Sequence, residues 1–320
     1  MDRTYLGVEI GCAKQQLAVV DSGGRILEKV SANVPHPRGA EDILAWLEEQ
    51  AGRLLAARPD TARIGVGFGG PLETATGRVL MSVQVPGWKD FALKTWFEQR
   101  FGLETVVVND TVAGGYAELK LGSGTASRVF FYTNLGSGIG GALFAGGRTW
   151  DGVGFGAAYL GNTYTADWTA ESAGALCRIE ALCSGPAIEA RLRRPGYIPE
   201  DSALMRLCGG EIARADCRLL GMAAGAGDAF ALEETARVGR TFGVGVATVV
   251  SLTGADTVAI GGGVANLGEI LLGPMREAAE AYAFESARGR FRLVRCSLVT
   301  DNVPVGAALY ARDGFDAIPV

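Results

Sequence analysis

The stretch Leu135-Gly136-Ser137-Gly138-Ile139-Gly140-Gly141 places four glycines within seven residues and decides which fold the chain is expected to adopt. It fits the pattern G-x-G-x-x-G, which in a dinucleotide-binding site must be followed by a helix. Residues 142–147 (ALFAGG) instead predict a strand and a turn. The stretch therefore predicts a glycine turn between two strands, whose backbone N–H groups can bind phosphate because no side chains stand in the way.

A second pair of strands joined by a glycine turn is predicted at the N-terminus, where the apolar run Tyr5–Ile10 and residues 16–20 flank Gly11–Lys14. A third glycine segment, Gly261–Gly263, follows the predicted strand 257–260. Any one of these segments could be no more than an ordinary turn. Two hairpins at matching positions, together with the third segment, favour a nucleotide polyphosphate held from two sides.

Strand and helix patterns alternate through two similar halves of the chain. Each half opens with a strand, a glycine turn and a second strand, and each later runs from a helix into a strand that ends at glycine or acid. We therefore expect two similar α/β lobes, with ligands bound in a cleft beyond the carboxyl ends of the strands. The helices are predicted at 40–57, 93–101, 173–194, 227–252 and 304–313, and the later strands at 64–68, 105–108, 128–133, 138–145, 148–150, 257–260 and 291–299.

Composition and charge exclude several classes of protein. Of the 320 residues, 48% are hydrophobic and 20% are charged, which is typical of a globular protein with a sizeable core. The net charge is −5 and no basic run stands out, so we expect no nucleic-acid partner. The most apolar stretch, 242–265, is interrupted by Thr253, Gly254 and Asp256, and we expect no membrane span. The first residues lack the features of a signal peptide, so the expected compartment is the cytoplasm, with the six cysteines reduced.

Asp110 directly follows a predicted strand and begins the next helix. Aspartate is a preferred N-cap residue, so a structural role explains it as well as a chemical one. The two roles are compatible, because a cap holds the carboxylate rigidly where it could take the proton of an attacking hydroxyl during phosphoryl transfer. His36, the only histidine, lies between two prolines in a predicted loop, which argues against hydrolases built on Ser-His-Asp or Cys-His systems.

In combination and in this order, the motifs resemble those of the ROK family of sugar kinases and related repressors, within the actin-like ATPase superfamily. The resemblance extends over nearly the whole chain, from about residue 5 to residue 311. Val8–Lys14 (VEIGCAK) stands where the family has D-I-G-G-T-K, and Asn109-Asp110 matches its N-D-A. The stretch LGSGIGG matches its second phosphate motif, and Val258–Val264 (VAIGGGV) resembles its adenosine motif.

This resemblance implies two similar ribonuclease-H-like α/β lobes with a cleft between them, the actin-like ATPase or sugar kinase fold. The N-terminal lobe is expected over residues 1–117 and the C-terminal lobe over residues 118–303. The last helix, about 304–320, is expected to pack back onto the first lobe. The resemblance also implies ATP and Mg²⁺ as cofactors, a small-molecule sugar as substrate and a homodimer as the default assembly.

The resemblance further implies roles for particular residues. Asp110 occupies the position of the family's catalytic base. The expected sugar-binding residues are Gly70, Gln84, Asn109, Asp110, Tyr159, Asn162 and Glu180. The residues expected to bind the nucleotide are Glu9, Gly11, Cys12, Ala13, Lys14, Gly136, Ser137, Gly138, Gly261, Gly262, Gly263 and Val264. Glu9 is also expected to bind Mg²⁺, directly or through water.

Several positions depart from the family's sugar and zinc motifs. Where the family has A-G-E-I-G-H, this chain has Ala157–Asn162 (AAYLGN). Tyr159 thus replaces a sugar-binding Glu, and Asn162 replaces a His that contacts zinc and sugar. Gln84 replaces a sugar-contacting Asn, and the family's zinc-binding cysteine cluster is not recognisable before Ile179-Glu180. We therefore expect no zinc site and an altered sugar pocket.

The first phosphate motif also departs from the family, because Glu9, Cys12 and Ala13 replace Asp, Gly and Thr. Glu9 keeps the charge on a longer side chain, whereas Ala13 cannot donate a hydroxyl hydrogen bond to phosphate. The sequence thus favours an ATP-dependent kinase for a hexose or hexose derivative. The alternative is a catalytically impaired sugar- or nucleotide-binding regulatory protein on the same fold. The DNA-binding repressors carry a helix-turn-helix before the first phosphate motif, and only four residues precede Tyr5 here.

Overall fold

The computed structural model describes residues 3–12, 14–82, 84–298, 300–314 and 318. It confirms the predicted α/β class. The strands are β1 Thr4–Ile10, β2 Lys14–Asp21, β3 Ile26–Asn33, β4 Thr61–Phe68, β5 Leu72–Glu73, β6 Arg78–Val79, β7 Thr105–Asn109, β8 Val129–Asn134, β9 Ala142–Ala145, β10 Arg148–Trp150, β11 Tyr164–Ala166, β12 Leu176–Arg178, β13 Thr257–Gly261 and β14 Arg292–Arg295. The α-helices are α1 Ala40–Ala57, α2 Leu93–Phe101, α3 Asp110–Leu121, α4 Ile179–Cys183, α5 Gly185–Leu192, α6 Ala203–Leu207, α7 Cys217–Gly225, α8 Ala229–Thr253, α9 Glu269–Tyr282 and α10 Asn302–Asp313.

Two five-stranded sheets share one strand order. The first sheet has the strand order β3-β2-β1-β4-β7. In it, β2 is antiparallel to both β1 and β3, and β4 is parallel to both β1 and β7. The second runs β10-β9-β8-β13-β14, with β9 and β10 antiparallel and β8, β13 and β14 parallel. When the five strands of each sheet are numbered in chain order, both sheets have the spatial order 3-2-1-4-5. This repetition agrees with the two similar halves predicted from the sequence.

The first sheet brings three strand ends into line. In the parallel register, Ile10 of β1 lies opposite Phe68 of β4, and Phe68 lies opposite Asn109 of β7. The residues that follow these positions therefore emerge together at the carboxyl edge of the sheet, where ligands of α/β folds bind.

The helices α3 and α10 lie close to the first sheet because glycines allow the approach. A Cβ added at Gly7 of β1 would lie 1.8 Å from the carbonyl oxygen of Pro304. Likewise, a Cβ at Gly65 of β4 would lie 1.8 Å from the carbonyl oxygen of Ala307. A Cβ at Gly306 would overlap the backbone of α3. The last helix is therefore packed on β1 and β4 in a way that excludes larger side chains at these positions.

The chain forms two compact units. The first contains the described residues of 1–128, 142–158 and 297–320, and the second contains 129–141 and 159–296. The lobe boundaries predicted at 117 and 303 stay a prediction. None of the helices in the described ranges is long and apolar enough to cross a membrane.

Four predicted elements differ from the structure. The helix predicted over 173–194 is wrong, because β12 and two helices occupy this range. Ser184 ends α4, and its side chain caps α5, where Pro186 fits the first turn. The strand predicted from residue 138 begins only at Ala142, and β14 is shorter than the predicted 291–299. The last helix ends at Asp313, and the remainder predicted to 320 lies mostly outside the described residues.

Candidate active site

The predicted base lies at the aligned ends of β1, β4 and β7, in the first unit. Asn109 ends β7 and caps α3, because its Oδ1 accepts a hydrogen bond from the Thr111 N–H at 3.0 Å. Its Nδ2 donates to the carbonyl oxygen of Gly70 at 3.2 Å. Asn109 thereby joins the end of β7 to the segment that follows β4. Of the seven predicted sugar-binding residues, Gly70, Asn109 and Asp110 lie close together here.

Asp110 begins α3 with its carboxylate against Gly69. Oδ1 accepts a hydrogen bond from the Thr111 N–H at 2.7 Å. A Cβ added at Gly69 would lie 3.1 Å from Oδ2, so the glycine leaves that oxygen accessible to a ligand. The pKa of Asp110 is raised to about 6, mainly by burial of the carboxyl group and to a lesser extent by the negative charge of Glu9, while the hydrogen bonds from Thr111 oppose the rise. Asp110 is thus ionised at neutral pH but is a far better proton acceptor than an exposed aspartate.

Glu9 lies one residue before the end of β1 and faces Gln16 of β2. Gln16 Nε2 donates a hydrogen bond to Glu9 Oε2 at 2.6 Å. Burial raises the pKa of Glu9, and the Gln16 hydrogen bond and the Lys14 charge oppose that rise. Gln16 Oε1 is buried without a partner in the described part of the chain. An unpaired amide oxygen beside a carboxylate is a donor set that suits a hard cation such as Mg²⁺.

The turn after β1 is narrow. The Gly11 N–H donates to the carbonyl oxygen of Lys14 at 3.2 Å, and Gln15 Nε2 donates to the carbonyl oxygen of Gly11 at 2.9 Å. Cys12 and Lys14 are exposed, whereas Ala13 lies outside the described residues. Gln84 is exposed and lines a small depression together with Gly11, Cys12, Gly69, Ser82, Val85 and Trp88. Gln84 therefore lies near the first phosphate motif and Gly69, and its role in sugar binding stays a prediction.

The second glycine loop lies in the second unit and is fixed from several sides. Leu135 forms two backbone hydrogen bonds with the third glycine segment and the residue after it. Its N–H donates to the Gly261 carbonyl oxygen at 2.8 Å, and its carbonyl oxygen accepts from the Val264 N–H at 2.9 Å. Gly262 has a φ of +87°, and a Cβ there would lie 2.4 Å from the Leu135 carbonyl oxygen. The two glycine segments predicted to bind one nucleotide are thus packed together, and Gly262 is required for that packing.

A cavity of about 780 Å³ opens beside these two segments. It is large enough for a nucleotide. Its walls come from both glycine segments, from the first turns of α5 and from one face of α7. The lining residues are Gly136, Ser137, Gly185, Pro186, Glu189, Cys217, Arg218, Gly221, Met222, Gly263, Val264, Asn266 and Leu267.

Sequence reasoning missed the walls of this cavity that α5 and α7 provide. Cys217, Arg218, Gly221 and Met222 recur at helical spacing on one face of α7, but such spacing also fits an ordinary buried face. Burial raises the pKa of the Cys217 thiol to about 12, so the thiol is neutral in the cavity wall. Only the Gly185-Pro186 pair carried a local signal, because the pair predicts a break between helices.

Tyr159, Asn162 and Glu180 belong to the second unit, as part of a segment that surrounds the hairpin β11–β12. Tyr159 is 37% exposed and precedes a single helical turn, Leu160–Asn162. The Ile179 N–H donates to the carbonyl oxygen of Thr163 at 2.9 Å, which holds the start of α4 beside that turn. The carboxylate of Glu180 accepts a hydrogen bond from the Ile139 N–H at 2.7 Å.

The hairpin itself is fixed to α8 by Trp168. Its indole Nε1 donates to Thr241 Oγ1 at 2.9 Å, and the guanidinium carbons of Arg191 and Arg237 lie 4.6 and 5.0 Å from the centre of its rings. Arg191 is buried and forms an ion pair with Glu234 at 2.5 Å. The ring of Trp168, which lies between two arginines, therefore holds this segment in place.

In the described ranges, no group of three or more His, Cys, Asp or Glu side chains is placed to hold a metal ion.

Comparison with known proteins identifies the family and the fold. The profile of the ROK family matches residues 5–314. A glucokinase of Thermotoga maritima is 30% identical over 312 residues, which cover 95% of each chain. An N-acetylmannosamine kinase of Escherichia coli is 26% identical and covers 82% of this chain and 83% of its own.

A solved structure, a ROK family glucokinase of Streptomyces griseus in complex with glucose and AMPPNP, has a TM-score of 0.82 to this chain. Its sequence is 28% identical, and the alignment covers 97% of this chain and 100% of that one. The fold of this chain is thus that of the ROK sugar kinases, as the two five-stranded sheets of one order also indicate. The family profile extends over both compact units, and the protein therefore belongs to the ROK family.

Proposed function

We propose that this protein is an ATP-dependent kinase that phosphorylates a hydroxyl of a hexose or hexose derivative. The observation that carries the proposal is Asp110, whose carboxylate lies against Gly69 at the aligned ends of three strands with a pKa of about 6. Kinase activity toward sugars is also what the glucokinase and N-acetylmannosamine kinase relatives are named for.

Asp110 acts as the general base. A carboxylate with a pKa near 6 is ionised at cytoplasmic pH, and it accepts the proton as the sugar oxygen attacks the γ-phosphorus. The Thr111 N–H holds Oδ1 in place, and Oδ2 is left for the sugar hydroxyl. Asn109 keeps the Gly70 segment against the base, so the sugar is positioned by groups whose own positions are fixed.

The nucleotide binds in the 780 Å³ cavity of the second unit. The Ser137 and Gly138 N–H groups, which have no partner among the described residues, donate to phosphate. Glu9 and the unpaired oxygen of Gln16 fit Mg²⁺, which when bound neutralises negative charge on the phosphates. The chain's own part in the reaction is to orient the two substrates and to take up one proton.

The sugar pocket is altered, and we infer a preference set by Tyr159. A phenol ring offers an apolar face and one hydroxyl, where a glutamate would accept hydrogen bonds from two sugar hydroxyls. Such a ring suits a hexose derivative whose substituent has an apolar methyl group and a polar amide, such as an N-acetyl group, over an unmodified hexose. The cytoplasm stays the predicted compartment, since the reaction consumes ATP.

We also propose that the protein is a homodimer that associates through an aromatic surface of the second unit. This surface surrounds a cavity of about 410 Å³ whose walls include Thr165, Val244 and Tyr282. Apolar side chains that are 65–81% exposed lie on or next to the helices and strands that line it, and exposed apolar surfaces mark interfaces. They are Tyr164, Leu176, Leu252, Tyr282 and Phe284. Light scattering should give twice 33.4 kDa, and Leu252→Glu should reduce it to the monomer mass.

The deciding experiment is ADP release from Mg²⁺-ATP with a panel of hexoses and N-acetylhexosamines. We expect release that depends on the sugar and falls by about 10²- to 10⁴-fold in Asp110→Asn. Asp60→Asn, at a distant surface turn, is the matched control and should behave as the wild type. If no sugar supports release, while a sugar or a nucleotide still raises the melting temperature, the protein is a regulatory binder and the kinase proposal fails.

A further inference from the structure

Glu180 touches the phosphate loop, a contact that its expected role in sugar binding does not explain. Its Oε2 accepts a hydrogen bond from the backbone N–H of Ile139 at 2.7 Å, across 41 residues of sequence. A Cβ added at Gly138 would lie 3.2 Å from the same oxygen. The carboxylate is therefore packed directly against the loop Leu135–Gly141, and the bond is charge-assisted.

The other N–H groups of this loop show why one more bond matters. The Leu135 N–H donates to Gly261, the Gly136 N–H to the Gly138 carbonyl oxygen and the Gly140 N–H to Asn134 Oδ1, at 2.8, 3.1 and 2.7 Å. With Glu180 on Ile139, the two N–H groups before the central pair and the two after it, from Leu135 to Gly140, are occupied. The N–H groups of Ser137 and Gly138 are left without a partner in the part of the chain that the structure describes. The loop thus holds two adjacent donors, of which Ser137 lines the cavity.

Glycine loops need such support because glycine leaves the backbone free to move. Two glycines flank Ser137, so the direction of the two free N–H groups depends on the residues at either end of the segment. Gly136 is fixed by the Gly185 N–H, which donates to its carbonyl oxygen at 2.8 Å. On the other side, the bond from Ile139 to Glu180 is the equivalent attachment.

We propose that Glu180 is a positioning residue for the phosphate loop, so that one carboxylate serves the nucleotide site as well as the sugar. This inference rests on the proposed nucleotide site, and it extends the role of Glu180 from substrate contact to donor alignment. The start of α4, which carries Glu180, is bonded through Ile179 to Thr163, next to Asn162. The same short helix therefore joins the residues expected at the sugar to the loop expected at the phosphates.

The test is nucleotide binding in the absence of any sugar. We expect Glu180→Ala to weaken the dissociation constant of Mg²⁺-AMPPNP by about 5- to 20-fold, as measured by calorimetry, because one bond to a charged group is lost. Glu180→Gln keeps an acceptor oxygen and should recover most of the affinity. Glu171→Ala, at an exposed position of the loop between β11 and β12, is the control and should bind as the wild type.

A readout that needs no ligand checks the structural part. Hydrogen exchange of the Ile139 amide should be faster in Glu180→Ala than in the wild type, while the exchange of β8 stays unchanged. If AMPPNP affinity is the same in Glu180→Ala and the wild type, or if Glu180→Gln loses as much as Glu180→Ala, the inference is wrong. This inference is tested separately from the kinase proposal. A protein that binds AMPPNP through this loop but phosphorylates no sugar would refute only the kinase proposal. A wild type that binds no AMPPNP would refute both.

Discussion

Gln16 Nε2 donates a 2.6 Å hydrogen bond to Glu9 Oε2 across the antiparallel pair β1–β2. The register places the two residues directly opposite each other, so the bond follows from strand pairing and needs no loop. It fixes the longer side chain that stands where the family's first motif has Asp. The chain thus compensates for a flexible glutamate with a buried partner on the next strand.

We expect Gln16→Ala to weaken the response to Mg²⁺ and to leave the sugar KM nearly unchanged. Glu9 then loses the hydrogen bond that opposes its raised pKa, and a potential oxygen ligand is removed. Activity measured against Mg²⁺ concentration should show a half-saturation value raised by about 3- to 10-fold. Gln99→Ala, on the exposed face of α2, is the matched control. Equal Mg²⁺ responses in the two variants would contradict a role for Gln16.

The pH dependence should follow Asp110. With its pKa raised to about 6, the base is lost as the pH falls through that value, so kcat/KM should decline below about pH 6. The charge of Glu9 contributes to the raised pKa, so Glu9→Gln should move this decline to lower pH. Initial rates from pH 4.5 to 8 measure both. A decline that stays at the same pH in Glu9→Gln would show that the two carboxylates do not interact.

Asp110 should also lower the stability of the fold. Its pKa is about 6 when folded and 3.8 without the protein environment, so the ionised form is less stable in the folded state and the penalty develops as the pH rises between these values. At pH 7 the penalty has an upper limit of about 3 kcal/mol, from 1.36 kcal/mol per pKa unit. Asp110→Asn should therefore melt a few degrees higher than the wild type at pH 7, with the difference reduced at pH 4. A lower melting temperature at pH 7 would contradict this account.

Much of the fold could be predicted because its signals are local. The run of β-branched residues before Asn109-Asp110 predicts a strand that ends at a carboxylate, and the parallel register then brings Ile10, Phe68 and Asn109 to one edge. The glycine motif predicts a turn at 136–138 that is not followed by a Rossmann helix, and the structure has a strand, β9, after it. The loop extends to Gly141, because Asn134, Thr133 and Glu180 bond its backbone and delay β9 to Ala142.

The break within 173–194 had a local signal, since Ser184 caps α5 and Pro186 fits its first turn, but the apolar spacing of this range also fits one helix. Other parts depend on contacts between distant residues, and no local pattern shows them. The pairing of Gln16 with Glu9 requires the register of β1 and β2. The cavity wall from α7 requires the packing of α5 against the Gly263 segment, and Cys217 or Arg218 gives no sign of it in sequence.

Trp168 should be the main attachment of the hairpin β11–β12. Trp168→Ala removes two cation–π contacts and the hydrogen bond to Thr241, and it leaves a gap beside the buried Arg191. We expect a loss of about 2–4 kcal/mol in the free energy of unfolding and faster hydrogen exchange over 164–178. Trp168→Phe keeps an aromatic face and should lose less. Trp150→Ala, where the side chain is 44% exposed, is the control, and an equal loss there would refute a special role for Trp168.

The packing of α10 on the first sheet can be tested with two glycines, one where an added Cβ would clash with α10 and one where it would meet no other atom. A Cβ at Gly65 would lie 1.8 Å from the Ala307 carbonyl oxygen and 2.4 Å from its carbon, so Gly65→Ala must push α10 away from β4. We expect a cost of about 3 kcal/mol in the free energy of unfolding, because both neighbours are backbone and cannot change rotamer. Gly52 lies within α1 with no atom within 4 Å of an added Cβ, so Gly52→Ala should stabilise the protein by about 0.5–1 kcal/mol. Urea unfolding of both variants measures the difference. If Gly65→Ala costs no more than Gly52→Ala, then α10 is not held as close to β4 as the structure places it, since alanine is otherwise the better residue at both positions.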